Sequence, residues 1–155
     1  MKTIPLTQGK VALVDDVDFE RANKLCWHAH YNHQSKIWYA QSIHKNKVLH
    51  LHRFILNAPE NLLVDHRNGD GLDDQRCNLR TCTKSQNCCN SKSRKGTSKY
   101  KGVSFHKRAG KWQVDICKNY KGYYVGLFNT ESEAAQAYNQ VAVKFHGSFA
   151  RLNTL

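Results

Sequence analysis

The sequence predicts an α+β protein in two small parts. The first is a strand–loop–strand–helix core preceded by a small antiparallel sheet, and the second is a three-stranded antiparallel sheet packed on one helix. Three observations carry this. Apolar and polar residues alternate in three short runs between residues 103 and 127. A capped stretch with apolar residues at helical spacing follows over residues 130–147. In the middle of the chain, Leu63-Val64 and Leu79-Arg80-Thr81-Cys82 flank the turn signal Arg67-Asn68-Gly69-Asp70-Gly71.

Residues 2–20 alternate in the strand manner, with Val11, Leu13 and Val17 expected on one face. A short helix is expected near Asp18–Leu25, and strands over residues 36–43 and 47–52. Residues 1–48 thus read as a small antiparallel sheet, with Trp27 and Trp38 as packing residues rather than base-stacking ones. A short helix from His52 is stopped by the Asn57-Ala58-Pro59 turn. Ser85–Ser91 has room for one or two helical turns. The polar, basic, glycine-bearing stretch over residues 91–99 marks a linker. The expected organisation is residues 1–92, with the sheet over 1–48 and the core over 49–92, a linker at 93–97, and a second domain over 98–155.

In the second domain Val103 and Phe105, then Val114 and Ile116, then Tyr123, Val125 and Leu127 give three strands with one apolar face each. Thr130 and Glu133 have the spacing of a capping box. Ala134, Tyr138, Val141, Ala142 and Phe145 repeat at helical spacing, and Gly147 ends the run. That helix covers the apolar face. The other face carries Ser104, His106, Arg108, Gln113, Asp115, Cys117 and Tyr124.

Charge narrows the partner. The chain of 155 residues has a net charge of +12, which points to a polyanion. Residues 93–155 hold eleven basic and three acidic residues, net +8, whereas 1–48 carry +3 and 49–92 carry +1. No apolar run approaches the roughly 18 residues that span a bilayer, and residues 1–10 lack the apolar core of a signal peptide. The expected setting is therefore the cytoplasm. Charge alone allows nucleic acid or an anionic membrane surface, and the flat polar sheet face on the +8 domain selects double-stranded DNA with no membrane, bound by a monomer or weak dimer. Cys26, Cys77, Cys82, Cys88, Cys89 and Cys117 are read as thiols, because they lack the paired spacing of a structural zinc site.

Asp65, His66, Asn78 and Asn87 are the candidate chemistry. Phosphodiester cleavage needs a group that activates water, which suits a histidine. It also needs charge compensation at the phosphate, which suits a hard divalent ion on oxygen ligands. Taken singly, these residues read as a surface turn and a helix surface rather than as a site. A Cys88–His66 nucleophilic pair lacks an orienting third group. His52 reads as a packing residue, and His28, His30, His33 and His44 form no site spacing.

Leu51-His52-Arg53-x-Ile55, Val64-Asp65-His66-x-Asn68-Gly69, Asn78-Leu79-Arg80 and Asn87 together resemble the HNH homing endonucleases of bacteriophages, as does the segment over residues 4–16. The spacing, twelve residues from His66 to Asn78 and nine from there to Asn87, is that of the family. The resemblance implies a ββα-metal core. His66 would be the general base and Asn78 would orient the loop and His66. Asp65 and Asn87 would hold one Mg2+ or Mn2+ ion, which stabilises the departing 3′ oxygen. The third motif position, often histidine in the family, is Asn87 here. A phage-encoded enzyme of this kind would work in the cytoplasm of a bacterial host.

Tyr100-Lys101-Gly102-Val103, Trp112, Ile116, Gly126-x-Phe128, Glu133-Ala134-Ala135-x-Ala137-Tyr138, Gly147 and Ala150-x-Leu152-Asn153 resemble the plant ethylene-response-factor (Apetala) type of DNA-binding domain. In that family the sheet enters the major groove. The implied DNA contacts are Lys101, Ser104, His106, Arg108, Asp115 and Tyr124. Several family arginines are replaced by Ser104, His106 and Cys117, so the plant target sequence does not carry over. The functional expectation is a metal-dependent DNA endonuclease or nickase with a groove-binding anchor. The alternative is a non-enzymatic, sequence-specific DNA-binding regulator with an inactive HNH core. An RNA-binding module is third, because a rigid sheet suits a duplex better than splayed bases.

Overall fold

The computed structural model describes residues 1–44, 46–92 and 96–155. The chain divides into two compact units, Met1–Thr83 and Lys84–Leu155. Of the expected linker at 93–97, residues 93–95 lie outside the described residues.

The first unit opens with β1 (Lys2–Pro5) and β2 (Val11–Val14), paired antiparallel with Ile4 opposite Ala12. Ile4, Ala12 and Val14 face the core, while Val11 is 49% and Val17 77% exposed. Within β2 it is thus Ala12 and Val14, not Val11 and Leu13, that face the core, and Val17 belongs to the helix that follows. Strand side chains alternate with period two, so choosing the wrong parity exchanges the whole set. Helix α1 (Asp16–Ala22) starts earlier than expected because Asp15 takes the extended N-cap position. Its carboxylate accepts from the Arg76 backbone N–H at 2.8 Å instead of capping its own helix.

Strands β3 (His28–Asn32), β4 (Ile37–His44) and β5 (Lys47–His50) form an antiparallel sheet in that order. The expected strand over 47–52 stops at His50, because α2 (Leu51–Leu56) begins there and turns Leu51, His52 and Ile55 into the core. Leu51 and Ile55, one helical turn apart, are almost fully buried beside Trp27 and Leu79. Asn57 ends α2 in the left-handed conformation, φ 48°. Arg53 then shapes the following loop by donating to the carbonyls of Ala58, Pro59 and Leu62. Strands β6 (Leu63–His66) and β7 (Leu79–Cys82) pair antiparallel, Asp65 opposite Arg80.

The loop between β6 and β7 is tied to the rest of this unit at three places. Leu13 of β2 donates its N–H to the Leu72 carbonyl and accepts from the Asp74 N–H. Gly71 lies against β4, where an added Cβ would stand 2.4 Å from the Trp38 carbonyl oxygen. Asp18, 2% exposed, accepts from Arg76 Nε at 2.6 Å and from Arg21 Nη2 at 2.8 Å. Both guanidinium groups also donate to the Ile55 carbonyl at the end of α2.

The second unit holds α3 (Lys84–Cys89), β8 (Val103–His106), β9 (Lys111–Lys118), β10 (Lys121–Phe128) and α4 (Glu131–His146). The sheet order is β10-β9-β8, all antiparallel. In the Thr130–Glu133 capping box, Thr130 Oγ accepts from the Glu133 N–H and the Glu133 carboxylate accepts from the Thr130 N–H. Ala134, Ala135, Tyr138 and Ala142 pack on Val103, Val114 and Ile116. A bulge between Tyr124 and Gly126 shifts the register of β10. Beyond it Gly126 pairs with Val114 and Phe128 with Trp112, while Leu127 falls opposite Gln113 on the outer face. The strict alternation read from Tyr123, Val125 and Leu127 fails there because a bulge inserts one unpaired residue and reverses parity.

Gly102 has φ +73°, and a Cβ there would stand 2.3 Å from the Tyr138 ring and 2.7 Å from the Asp115 carbonyl oxygen. Close approach and left-handed backbone both demand glycine. We expect Gly102→Ala to destabilise the second unit by at least about 2 kcal/mol, since overpacking and backbone strain add. Chemical denaturation followed by Trp112 fluorescence checks this, and an unshifted midpoint would contradict the tight contact.

The Arg76 hydrogen bonds, and then those of Arg21, hold the Asp18 carboxyl below its ordinary value against the opposing effect of burial. A carboxyl lowered in the folded state stabilises above the unfolded value of about 3.9 and loses that effect as pH falls through the folded value. Asp18→Asn should therefore lower the melting temperature of the first unit at pH 7 and flatten its decline below about pH 4. A variant whose melting curve runs parallel to wild type at every pH would show that the bridge contributes nothing.

Candidate functional sites

Two places concentrate polar chemistry, one in each unit. In the first unit β6 ends on Asp65 and His66, each 6% exposed. Asp65 Oδ2 accepts from Arg80 Nε at 2.8 Å and Nη2 at 2.6 Å across the β6–β7 pair. His66 Nε2 is 3.0 Å from Asp74 Oδ1. Asn78, 7% exposed, organises the loop: its Oδ1 accepts from the Asn68 N–H, and its Nδ2 donates to Asn68 Oδ1 and the Asp73 carbonyl. Asn87 lies half-buried on α3, in the second unit.

His52 and Asp74 join His66 in a way that the sequence reading misses. The His52 and His66 rings meet edge-on with centroids 5.2 Å apart, and Tyr39 packs against both. One ligand atom each from His52, His66 and Asp74 lies within 4.8 Å of the others. Burial, followed by the nearby His66, His50 and Arg53, pushes the His52 pKa down to about 2, so the ring is neutral. Burial raises the Asp74 carboxyl, partly offset by its hydrogen bond to His66. Asp74 was hidden inside an Asp73-Asp74 pair that reads as loop, and no spacing rule joins it to His52, twenty-two residues earlier.

In the second unit α4 covers one face of the sheet and leaves the other open. Register puts Ser104, His106, Lys111, Gln113, Asp115, Cys117, Tyr124 and Leu127 on that open face. Arg108 lies exposed in the turn between β8 and β9, near Lys107 and Lys111. His106 Nδ1 accepts from the Ala109 N–H, which leaves Nε2 to carry the ring proton of the neutral form. Gln113 Nε2 donates to Asp115 Oδ2 at 2.7 Å, fixing that carboxylate. Tyr124 is 62% exposed. Lys101, which the resemblance places among the DNA contacts, turns elsewhere: its Nζ donates to the Cys89 and Ser91 carbonyls, and burial lowers its pKa. It closes the end of α3.

Over the region that resembles the ethylene-response-factor domain, the chain is similar to several plant proteins. An AP2-like ethylene-responsive transcription factor of Arabidopsis thaliana is 44% identical over 66 residues, 40% of this chain and 14% of the relative. An APETALA2-like protein of Oryza sativa subsp. indica is 42% identical over 60 residues, 39% of this chain and 14% of the relative. A further ethylene-responsive transcription factor of Arabidopsis thaliana is 39% identical over 61 residues, 38% of this chain and 14% of the relative. The chain thus spans about one seventh of the length of these curated relatives. No family model matches the chain. The similarity supports a DNA-binding domain of the AP2 kind and gives no support to an HNH nuclease.

These relatives correct the functional expectation. They are named transcription factors, not nucleases, which overturns the reading as a metal-dependent endonuclease and with it the Mg2+ or Mn2+ cofactor. They come from plants, which overturns the expected bacterial cytoplasm of a phage protein. Arg80 clamps Oδ2 of Asp65 with two hydrogen bonds. Among the described residues no helix is long and apolar enough to cross a membrane.

The loop bonds of Asn78 make a sharp prediction. Asn78→Ala would leave the Asn68 N–H and the Asp73 carbonyl without their partner. We expect a loss of about 2–3 kcal/mol in the first unit, since each orphaned group costs roughly 1–3 kcal/mol. Thermal unfolding measures it, and a loss below about 0.5 kcal/mol would mean that the loop is held by its other ties alone.

Proposed function

We propose that this protein is a non-enzymatic, sequence-specific DNA-binding regulator that reads duplex DNA with the open face of β8, β9 and β10. The observation that carries the reading is the 39–44% identity to transcription factors over about 60 residues of this unit. Chemistry supports it independently. Residues 93–155 carry net +8, and the exposed Lys107, Arg108 and Lys111 cluster at the β8–β9 turn. Such cations contact phosphates and set register, whereas short polar side chains at the sheet centre read base edges. The His106 ring N–H suits a guanine acceptor, and the Asp115 carboxylate suits the cytosine amino group. Loss of the family arginines at Ser104, His106 and Cys117 gives this chain its own target.

The first unit enters this reading as an HNH-type scaffold without catalysis. Strands β6 and β7 with their loop keep the motif residues Asp65, His66 and Asn78, and these are bound into Arg80, Asp74 and the loop backbone.

Selection from a random duplex pool with the full chain should enrich one recurrent site. Affinity for it should fall with salt at a log–log slope of about −0.9 per phosphate contact. Arg108→Ala on the turn should weaken binding by about tenfold or more. Lys144→Ala, on the exposed side of α4 that covers the opposite face, should change it little. Replacing His106 or Asp115 should alter the selected site by about 1–3 kcal/mol at one base pair. No enrichment, or equal sensitivity at Arg108 and Lys144, would reject the sheet as the reading surface.

A further inference from the structure

We propose that His52, His66 and Asp74 form a binding site for a transition-metal ion of the zinc class, entered from the cleft lined by His30, His50 and Tyr39. Three observations converge. The candidate ligand atoms of these residues lie within 4.8 Å of one another, and all three residues are at least nine-tenths buried. His52 Nδ1 and Asp74 Oδ2 are buried and find no hydrogen-bond partner among the described residues. Buried polar atoms are almost always satisfied, so an unmatched imidazole nitrogen and carboxylate oxygen in one cluster point to a missing cation. Finally, a cleft of about 380 Å³ lined by His30, Tyr39, Gln41, His50 and His52 reaches this cluster.

The donor set selects the ion. Two imidazoles and one carboxylate suit zinc, cobalt or nickel, whereas magnesium and calcium require oxygen donors throughout. Zinc bonds of about 2.0–2.2 Å place tetrahedral ligand atoms about 3.4 Å apart, so separations of up to 4.8 Å shorten by about 1 Å on binding. A divalent ion would also compensate the buried Asp74 carboxylate, which already has Asp73 and Asp70 near it. Three protein ligands leave a fourth position for water from the cleft. The site lies wholly within Met1–Thr83 and does not depend on DNA binding by the other unit.

Cobalt reports the ligands directly. The full chain, stripped by chelator and titrated with Co2+, should take up one equivalent with visible d–d absorption. It should lack the intense near-ultraviolet band of thiolate ligation. Zinc should displace the cobalt, magnesium should not, and the melting temperature of the first unit should rise with metal. His52→Gln and Asp74→Asn should each weaken uptake by more than the roughly 10–100-fold that loss of a supporting partner costs. Replacing the exposed His33 and His44, or Cys88, Cys89 and Cys117, should leave it unchanged. A wild-type chain that takes up no cobalt overturns the site without any variant. A thiolate band assigns the metal to the cysteines and overturns it too. So does undiminished uptake by His52→Gln, or loss of uptake with the exposed histidines.

Discussion

Burying one carboxylate between two guanidinium groups is the constraint from which the geometry of the first unit follows. Asp18 is nearly inaccessible, and an unpaired charge there would cost several kcal/mol. Arg76 and Arg21 both reach it, and both also take the Ile55 carbonyl at the end of α2. One charge cluster therefore fixes α1, the C-terminus of α2 and the segment leading into β7. The half-exposed guanidinium groups keep part of their hydration, which lowers the desolvation cost of the cluster. From Arg76 the chain runs directly into Asn78, and so the β6–β7 loop takes up the shape that sets Asp74 against His66.

The second unit relies on shape rather than charge. Its core sets the small helical residues Ala134, Ala135 and Ala142 and the buried ring of Tyr138 against Val103, Val114 and Ile116. Small residues let α4 lie close to the sheet, and Gly102 lets the chain pass directly against that ring. The polar side chains Ser104, His106, Gln113 and Asp115 sit on the open face instead. Ser104, His106 and Cys117 contribute nothing to the packed face.

The two units differ in how much of them the sequence reveals. The Thr130–Glu133 box, the apolar spacing of α4 and Gly147 are local signals that act over a few residues, and the structure forms each of them. The β6–β7 pair is equally local, because a loop rich in Asn, Asp and Gly separates two short apolar runs. Strand parity is not local. Val11 and Leu13 are more apolar than Ala12, yet Ala12 and Val14 are buried, because the approach of Trp27 and α2 decides which face is covered. The bulge in β10 is similarly silent: Tyr123, Val125 and Leu127 alternate in the sequence, whereas in the structure the register shifts at Val125 and Phe128 packs on the core.

What the sequence by itself determined is what depends on neighbours along the chain: the order of elements, the capped helix, the charge gradient toward the C-terminus and the DNA-binding likeness of its last third. It also marked Asp65, His66 and Asn78 as unusual. Only the tertiary structure decided what these residues do. It placed Arg80 on Asp65 and Asp74 on His66, brought His52 across from α2, and turned Lys101 away from the sheet face to close α3. The reason is physical: a side chain's role is set by whatever shares its buried volume, and in this chain those partners range from five residues away, Asp73 for Asn78, to fifty-eight, Arg76 for Asp18. Sequence spacing can nominate a histidine, but burial and the unsatisfied atoms around it decide whether it serves as base, packing residue or ligand.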